Sequence, residues 1–443
     1  MIPGDLVQNE DVPRPDAGSG ETMPTRTRGH RRRLALALLI PSVLFVGVAL
    51  SMSLLTPALT NNDEAGHVQY AVYIESHGAL PMIGIQNGDE SHQPPLYYAT
   101  LALWMKVTGI QHVTLTEPVS PATSADVHVL RLPGIAYGLV TVLAAFGCAW
   151  VLTRRLAFSS AVASTVGLWP KFDVVSGAVT NGTLTCTLCA LALLALLLWL
   201  RADRRAALWA GVAGLMLGLA AITELTSLPI AGLLLLLIVA VSVSRRRWRD
   251  PLLAVALFAA VSGWWFVRNL AVYGDPLASA ATRAYLSRAI PILVCPCPGW
   301  TLGTVLHQLV YSIWYDGGFN QWALPWRLSA AIGVLAVLCL GRGIWIVWRH
   351  HRTAGAGRLD LLTLLLTALG AVIALGEIST QTSQAEGRYL LIAASAWSLL
   401  LVAGTDRIRR LGERAGQVLI WCWPAGFAIL DVYVFVRFVI PLS

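Results

Sequence analysis

The stretch LALALLIPSVLFVGVALSMSLLTPALTNNDEAGH, Leu34 to His67, decides how this chain is read. From Leu34 to Leu55 it holds no charged residue. That run matches the ~20 residues a helix needs to cross the hydrocarbon core of a bilayer. Immediately after it come two adjacent acids, Asp63 and Glu64, and a histidine, His67. What they do depends on which side of a membrane they face and on what else arrives there.

The rest of the chain repeats the first half of that pattern. Hydrophobic residues make up 56% of the 443 residues and charged residues 13%. A soluble domain usually carries about twice that charge. Eleven apolar runs read as spans, at 34–55, 131–153, 157–176, 183–200, 207–223, 226–244, 252–271, 328–348, 359–377, 388–404 and 416–438. Backbone groups in lipid must be satisfied within the segment, and runs of this length do so as helices. The expected fold class is an all-α polytopic membrane protein. It divides into a disordered basic cytoplasmic tail, 1–33, and one transmembrane domain, 34–443. Met23, just before the basic TRTRGHRRR run, is an alternative start, and the first span reads as an uncleaved anchor.

The net charge of +8 is a matter of topology. With the N-terminus inside, the segments around Arg31, Arg154, Arg201, Arg245, Arg349 and Arg407 collect 22 of the 32 basic residues on the cytoplasmic side. From Leu34 to Met105 there is no Lys or Arg. This is the positive-inside pattern, and it removes the case for a nucleic-acid partner. The seven cysteines form no framework. Cys186 and Cys189 read as packing, and Cys295 and Cys297 as unpaired loop thiols, with a strained local or an intermolecular disulfide as the alternatives. No Cys/His set has metal-ligand spacing.

The first outer loop, 56–130, is long, and long loops in compact proteins are usually functional. Its apolar PPLYYATLALWM, Pro94 to Met105, is too short to cross, since about 15 helical residues cover only ~22 Å. It reads as an interfacial helix opened by the proline pair, with Tyr97, Tyr98 and Trp104 at headgroup level. Asp63, Glu64, His67, Asp89, Glu90 and His92 then lie on the outer side. A plain alternative is a solvated helix start with Asn62 as N-cap. Three other outer-edge stretches weigh against it: GWWFVRNLAVYGDPL with Arg268, SIWYDGGFN at 312–320 as a reentrant or interfacial turn, and SQAEGRYL with Arg388 and Tyr389. Basic residues on the outer side cost energy and are functional candidates. Arg268 has two plainer readings, snorkelling or an ion pair with Asp275.

Carboxylates, guanidiniums and aromatics on one membrane face suit transfer of a sugar carried on a lipid phosphate. The leaving group is an anion, which arginine's forked, permanently charged head matches. The acceptor hydroxyl needs a carboxylate base, and in an inverting displacement base and leaving group lie on opposite faces of the ring.

Three features resemble the GT-C superfamily of membrane glycosyltransferases, among them the protein mannosyltransferases and the lipid A aminoarabinose transferase. They are Asp63-Glu64 after the first span, HQPPLYY from His92 to Tyr98, and RLP from Arg131 to Pro133. The later motifs resemble an uncharacterised bacterial branch of multi-pass membrane proteins. The resemblance implies a polyprenyl-phosphate-sugar donor, a glycan, lipid or protein acceptor, and a site on the outer face of a bacterial plasma membrane. It implies Asp63 as the catalytic base with Glu64 beside it. Arg388, Arg268, His92, Gln93, Tyr97, Glu90 and Tyr389 become donor-phosphate or substrate contacts. Acids near a phosphate also suit a divalent cation, Mg or Mn. Gln93 stands where some relatives carry a phosphate-binding Lys, Gly182 where an acid follows Asn, and Glu224 where a Lys is found. These departures keep two alternatives open: a transporter or flippase of lipid-linked glycans, and a catalytically degenerate scaffold with this fold.

Overall fold

The computed structural model describes residues 26–61, 63–84, 90–111, 113, 115, 119–289, 301–317, 322–350, 355–406 and 418–442. Residues 1–25 and both cysteines of the CPCP stretch lie outside these. The chain is a helical multi-pass membrane protein. Its elements are α1 (Arg26–Leu55), α2 (Glu64–His77), α3 (Leu96–Thr108), α4 (Pro121–Thr153), α5 (Leu156–Gly167) and α6 (Pro170–Ser176). Then follow α7 (Gly182–Trp199), α8 (Ala206–Ala221), α9 (Leu228–Arg245), α10 (Arg249–Tyr273), α11 (Ser279–Ala289) and α12 (Leu302–Ser312). A two-stranded hairpin, β1 (Asp316–Gly317) with β2 (Trp322–Ala323), precedes α13 (Trp326–His350) and α14 (Gly355–Gln381). A 3-10 turn, Gly387–Ala393, leads into α15 (Ala394–Thr405), and α16 (Cys422–Val434) runs into a π turn, Phe435–Val439.

Nine helices among the described residues are long and apolar enough to span. The other two expected spans are shorter. The run at 157–176 breaks at Leu168-Trp169, where Pro170 starts a new helix, and the run at 207–223 holds a 16-residue helix. Proline lacks the N–H that would continue α5, so the break follows from local chemistry. The second span begins earlier than expected. Ser120 caps α4 by accepting from the Thr123 N–H at 3.1 Å, and Pro121 fills the first turn. Arg131 therefore lies well inside α4 rather than opening it. The basic run expected in a disordered tail is the first turns of α1.

Small residues bring the helices together. A Cβ at Gly214 would run into the Ala254 carbonyl, and one at Gly218 would meet the Phe258 carbonyl at 2.9 Å. These two glycines, one turn apart, seat α8 on α10, as small residues do at membrane helix interfaces. Gly214→Leu should force α8 off α10. The expected result is loss of the monodisperse detergent-solubilised protein, whereas Gly232→Leu on α9, where a Cβ meets nothing within 4 Å, should leave it unchanged. Equal behaviour of the two variants would refute this packing.

Charges close the opposite ends of the bundle differently. At one end Arg201 pairs with Asp360 at 2.7 Å, Arg155 pairs with Asp406 at 2.5 Å, and Arg342 binds the Gly404 and Asp406 carbonyls. At the other end the helices alternate back to α2, α3, the α6–α7 junction, the α8–α9 turn and the Gly387–Ala393 turn. The candidate site is there.

Candidate active site

Two arginine–carboxylate pairs organise this end. The first is structural. Arg131 and Glu64 are both fully buried, with Arg131 Nε and Nη2 donating to Glu64 Oε1 and Oε2 at 2.8 and 2.7 Å. Glu64 also accepts from the Leu59 and Val179 N–H groups at 3.0 and 2.9 Å. Arg131 donates in addition to the carbonyls of Ser53, Thr56 and Pro57. Glu64, grouped with Asp63 as catalytic on sequence grounds, is thus fully engaged in fixing the end of α1, the start of α2 and the α6–α7 junction. A bidentate fork of this kind is what arginine geometry favours.

The second pair is open to a cavity. Asp63, in the left-handed region at φ 60°, occupies the N-cap position of α2; its carbonyl accepts from the His67 N–H at 3.0 Å, but its side chain makes no cap bond. Asn62, the expected cap, lies outside the described residues. Asp63 Oδ2 instead accepts from Arg388 Nη2 at 2.8 Å, and its side chain is 29% exposed. Arg388 Nε lies 2.8 Å from Glu386, and its guanidinium sits over the Tyr389 ring. Burial pushes the Asp63 carboxyl up, but Arg388 together with the nearby His67 and His92 outweighs it and holds the group below the usual carboxylate range. The pair lines a cavity of about 480 Å³, a size suited to a small polar ligand.

The structure brings most of the predicted residues to that cavity. Glu90, His92, Gln93, Arg388 and Tyr389 line it with Asp63. Gln93 accepts from Asn181 Nδ2 at 3.4 Å, and Tyr389 donates to Gln384 at 2.9 Å. Two do not join. Arg268 reaches the Pro81 carbonyl at 3.2 Å and stacks near Trp265 and Tyr273, because α10 carries it toward the 81–84 segment. It makes no ion pair with Asp275, whose carboxylate accepts from the Leu277 and Ser279 N–H groups. Tyr97 is buried in the core with Tyr98, so neither is the headgroup anchor expected of them. The Tyr98 hydroxyl shares a 2.8 Å hydrogen bond with His67 Nδ1. Burial drives His67 down to about 3, leaving its imidazole neutral.

Other residues join that the sequence reading did not assign. Arg283 on α11, Asn181, Glu224 and Glu377 all line the cavity. By the positive-inside reading of the sequence Arg283 falls in an outer loop, where basic residues are disfavoured, and that is the signal that would have found it. The SIWYDGGFN stretch, expected as a reentrant or interfacial turn, forms the hairpin, with 318–321 outside the described residues. Its Asp316 is buried and pairs with Lys171 of α6. Among the described residues no group of three or more His, Cys, Asp or Glu side chains gathers as a metal-ligand set. Glu64 is committed to Arg131, and Asp63 is paired with Arg388.

Solved structures with a similar arrangement of helices include an oligosaccharyltransferase and an arabinosyltransferase. ArnT from Cupriavidus metallidurans, bound to undecaprenyl phosphate, superposes with a TM-score of 0.53 at 15% identity, covering 94% of this chain and 74% of that one. The Archaeoglobus fulgidus oligosaccharyltransferase gives 0.55 at 13% identity, over 89% of this chain and 52% of that one. The fold is GT-C. Arabinosyltransferase EmbB from Mycobacterium smegmatis adds a TM-score of 0.52 at 16% identity, over 96% of this chain and 40% of its own length. No protein-family model matches the chain, and no curated protein matches it in sequence. At these identities the likeness is one of GT-C architecture. Function has to be argued from the cavity.

Proposed function

We propose that this chain transfers a sugar from a polyprenyl-phosphate donor to an acceptor hydroxyl, with inversion, on the outer face of a bacterial plasma membrane. The acceptor is an envelope glycan, a lipid or a protein. The observation that carries the reading is the Asp63–Arg388 contact of 2.8 Å in the wall of the cavity. It joins a candidate base, ionised at neutral pH, to a candidate anion receptor. Asp63 takes the proton of the acceptor hydroxyl as its oxygen bonds to the anomeric carbon. The bond from that carbon to the phosphate oxygen breaks, and the departing lipid phosphate keeps the electron pair. Arg388 meets that charge. In the free protein Arg388 is divided between Asp63 and Glu386. A donor phosphate competes for the same guanidinium and so releases Asp63 to act as base, which orders donor binding before acceptor activation.

The test uses wild-type protein in lipid nanodiscs, a panel of labelled polyprenyl-phosphate sugars and a crude envelope-glycan acceptor. Transfer of label from one donor supports the reading. Saturable donor binding without transfer favours a flippase or an inactive scaffold instead. Arg388→Ala should weaken donor binding by roughly 10- to 100-fold, the worth of hydrogen bonds to a charged group. Unchanged donor affinity would remove Arg388 from the phosphate site.

A further inference from the structure

Arg388 stands on the segment that leaves α14 and enters the Gly387–Ala393 turn. Its two ion pairs do not fix that backbone. Glu386 belongs to the same segment, and Asp63 is the partner that a donor phosphate would displace. The backbone is held from α12 instead. Gln308 Oε1 accepts from the Ala385 N–H at 2.8 Å, and Ser312 Oγ accepts from the Gly387 N–H at 2.8 Å. The two acceptors lie one turn apart on one face of the helix, and the two donors lie on either side of Glu386, which is extended at φ −77° and ψ 140°. A serine hydroxyl has one proton to give. That of Ser312 goes to the Gln308 carbonyl at 2.8 Å, which leaves a lone pair aimed at Gly387.

The contact is close as well as hydrogen-bonded. A Cβ on Gly387 would strike the Cα of Ile313, so the segment seats directly on the end of α12. That end is itself anchored on two sides. Trp169 Nε1 donates to the Ile313 carbonyl at 2.9 Å, and Trp314 Nε1 donates to the Ser329 carbonyl at 3.0 Å. Ser312, Ala385 and Gly387 are all buried. An N–H that loses its acceptor in such a place is left unsatisfied unless the segment shifts to find another. Neither Gln308 nor Ser312 lines the cavity, so any effect they have on a ligand passes through the segment they hold.

We infer that Gln308 and Ser312 are positioning residues for the donor site, aiming Arg388 into the cavity by holding the backbone on either side of Glu386. This rests on the phosphate role proposed for Arg388 above. The test measures donor affinity of the full chain in nanodiscs, with whichever polyprenyl-phosphate sugar wild type binds. Gln308→Met and Ser312→Ala each remove one acceptor at little change in volume. Each should weaken donor binding by roughly 2- to 10-fold, the worth of a neutral hydrogen bond. In an Arg388→Ala background neither should weaken it further, since no guanidinium is left to aim. A general packing defect would not depend on Arg388, so this loss of additivity separates positioning from support. The two variants remove different bonds, so one suffices if the other misfolds. Hydrogen exchange on wild type needs no variant, and the Ala385 and Gly387 amides should be protected. Unchanged donor affinity in both variants would overturn the inference and leave the donor class standing. So would losses that stay full beside Arg388→Ala, or rapid exchange of both amides. Binding of no polyprenyl phosphate by wild type would overturn the donor class and this inference together.

Discussion

Asp63→Asn should leave the protein folded and lower kcat by about 10²- to 10⁴-fold, the usual contribution of a general base. The folded state has little reason to change. Asn tolerates the left-handed backbone at φ 60° as Asp does. The Asp63 side chain makes no cap bond to α2, so no cap is lost. Arg388 keeps Glu386 as its partner. What disappears is the group that takes the proton. The pH profile gives a second reading. A carboxyl lowered by Arg388 is ionised at neutral pH and loses its base form only as pH falls through its folded value. kcat/KM, which reports the free protein, should therefore stay level on the acid side until below the ordinary carboxylate range. His67, neutral down to about 3, adds no limb near 6. Normal turnover by Asp63→Asn, or an acid limb at neutral pH, would exclude Asp63 as base.

The fold class was legible because a membrane imposes its own grammar. Apolar run length, arginine asymmetry and the short 94–105 segment each have a physical meaning without a partner in the chain. The cavity was half legible for the same reason. Asp63, His92, Gln93 and Arg388 stand at ends that topology puts on one face, and the structure gathers them. What topology cannot give is the direction of a side chain within its helix turn. Arg268 and Arg388 share a face of the membrane, yet α10 turns one to the Pro81 carbonyl while the 387–393 turn aims the other at Asp63. Glu64 and Asp63 are adjacent, yet one is buried and the other is not, because the helix starts between them. Tyr97 and Tyr98 read as membrane anchors from composition alone. Their burial depends on α2 and its His67, distant partners that no local pattern records.

Arg131→Met should destabilise the protein by about 3–5 kcal/mol, the cost of stranding one member of a buried ion pair. Glu64 would keep its bonds from the Leu59 and Val179 N–H groups but lose its only charge partner among the described residues. The carbonyls of Ser53, Thr56 and Pro57 would lose their donor as well. Glu64→Gln should be milder, since an amide oxygen still accepts from a backbone N–H. The combination Arg131→Met/Glu64→Gln should cost less than the two single changes added together, because the stranded charge is gone. Thermal unfolding midpoints in one detergent measure all three. Transfer activity then separates support from chemistry. Arg131 does not line the cavity, but its carbonyl contacts and Glu64 set the turn that carries Asp63. If its role is to position that turn, kcat falls in Arg131→Met and recovers in part in the double variant, in step with stability. A kcat that stays lost while stability returns would instead make Glu64 a participant in the reaction, and the assignment of Asp63 as the sole base would have to be withdrawn.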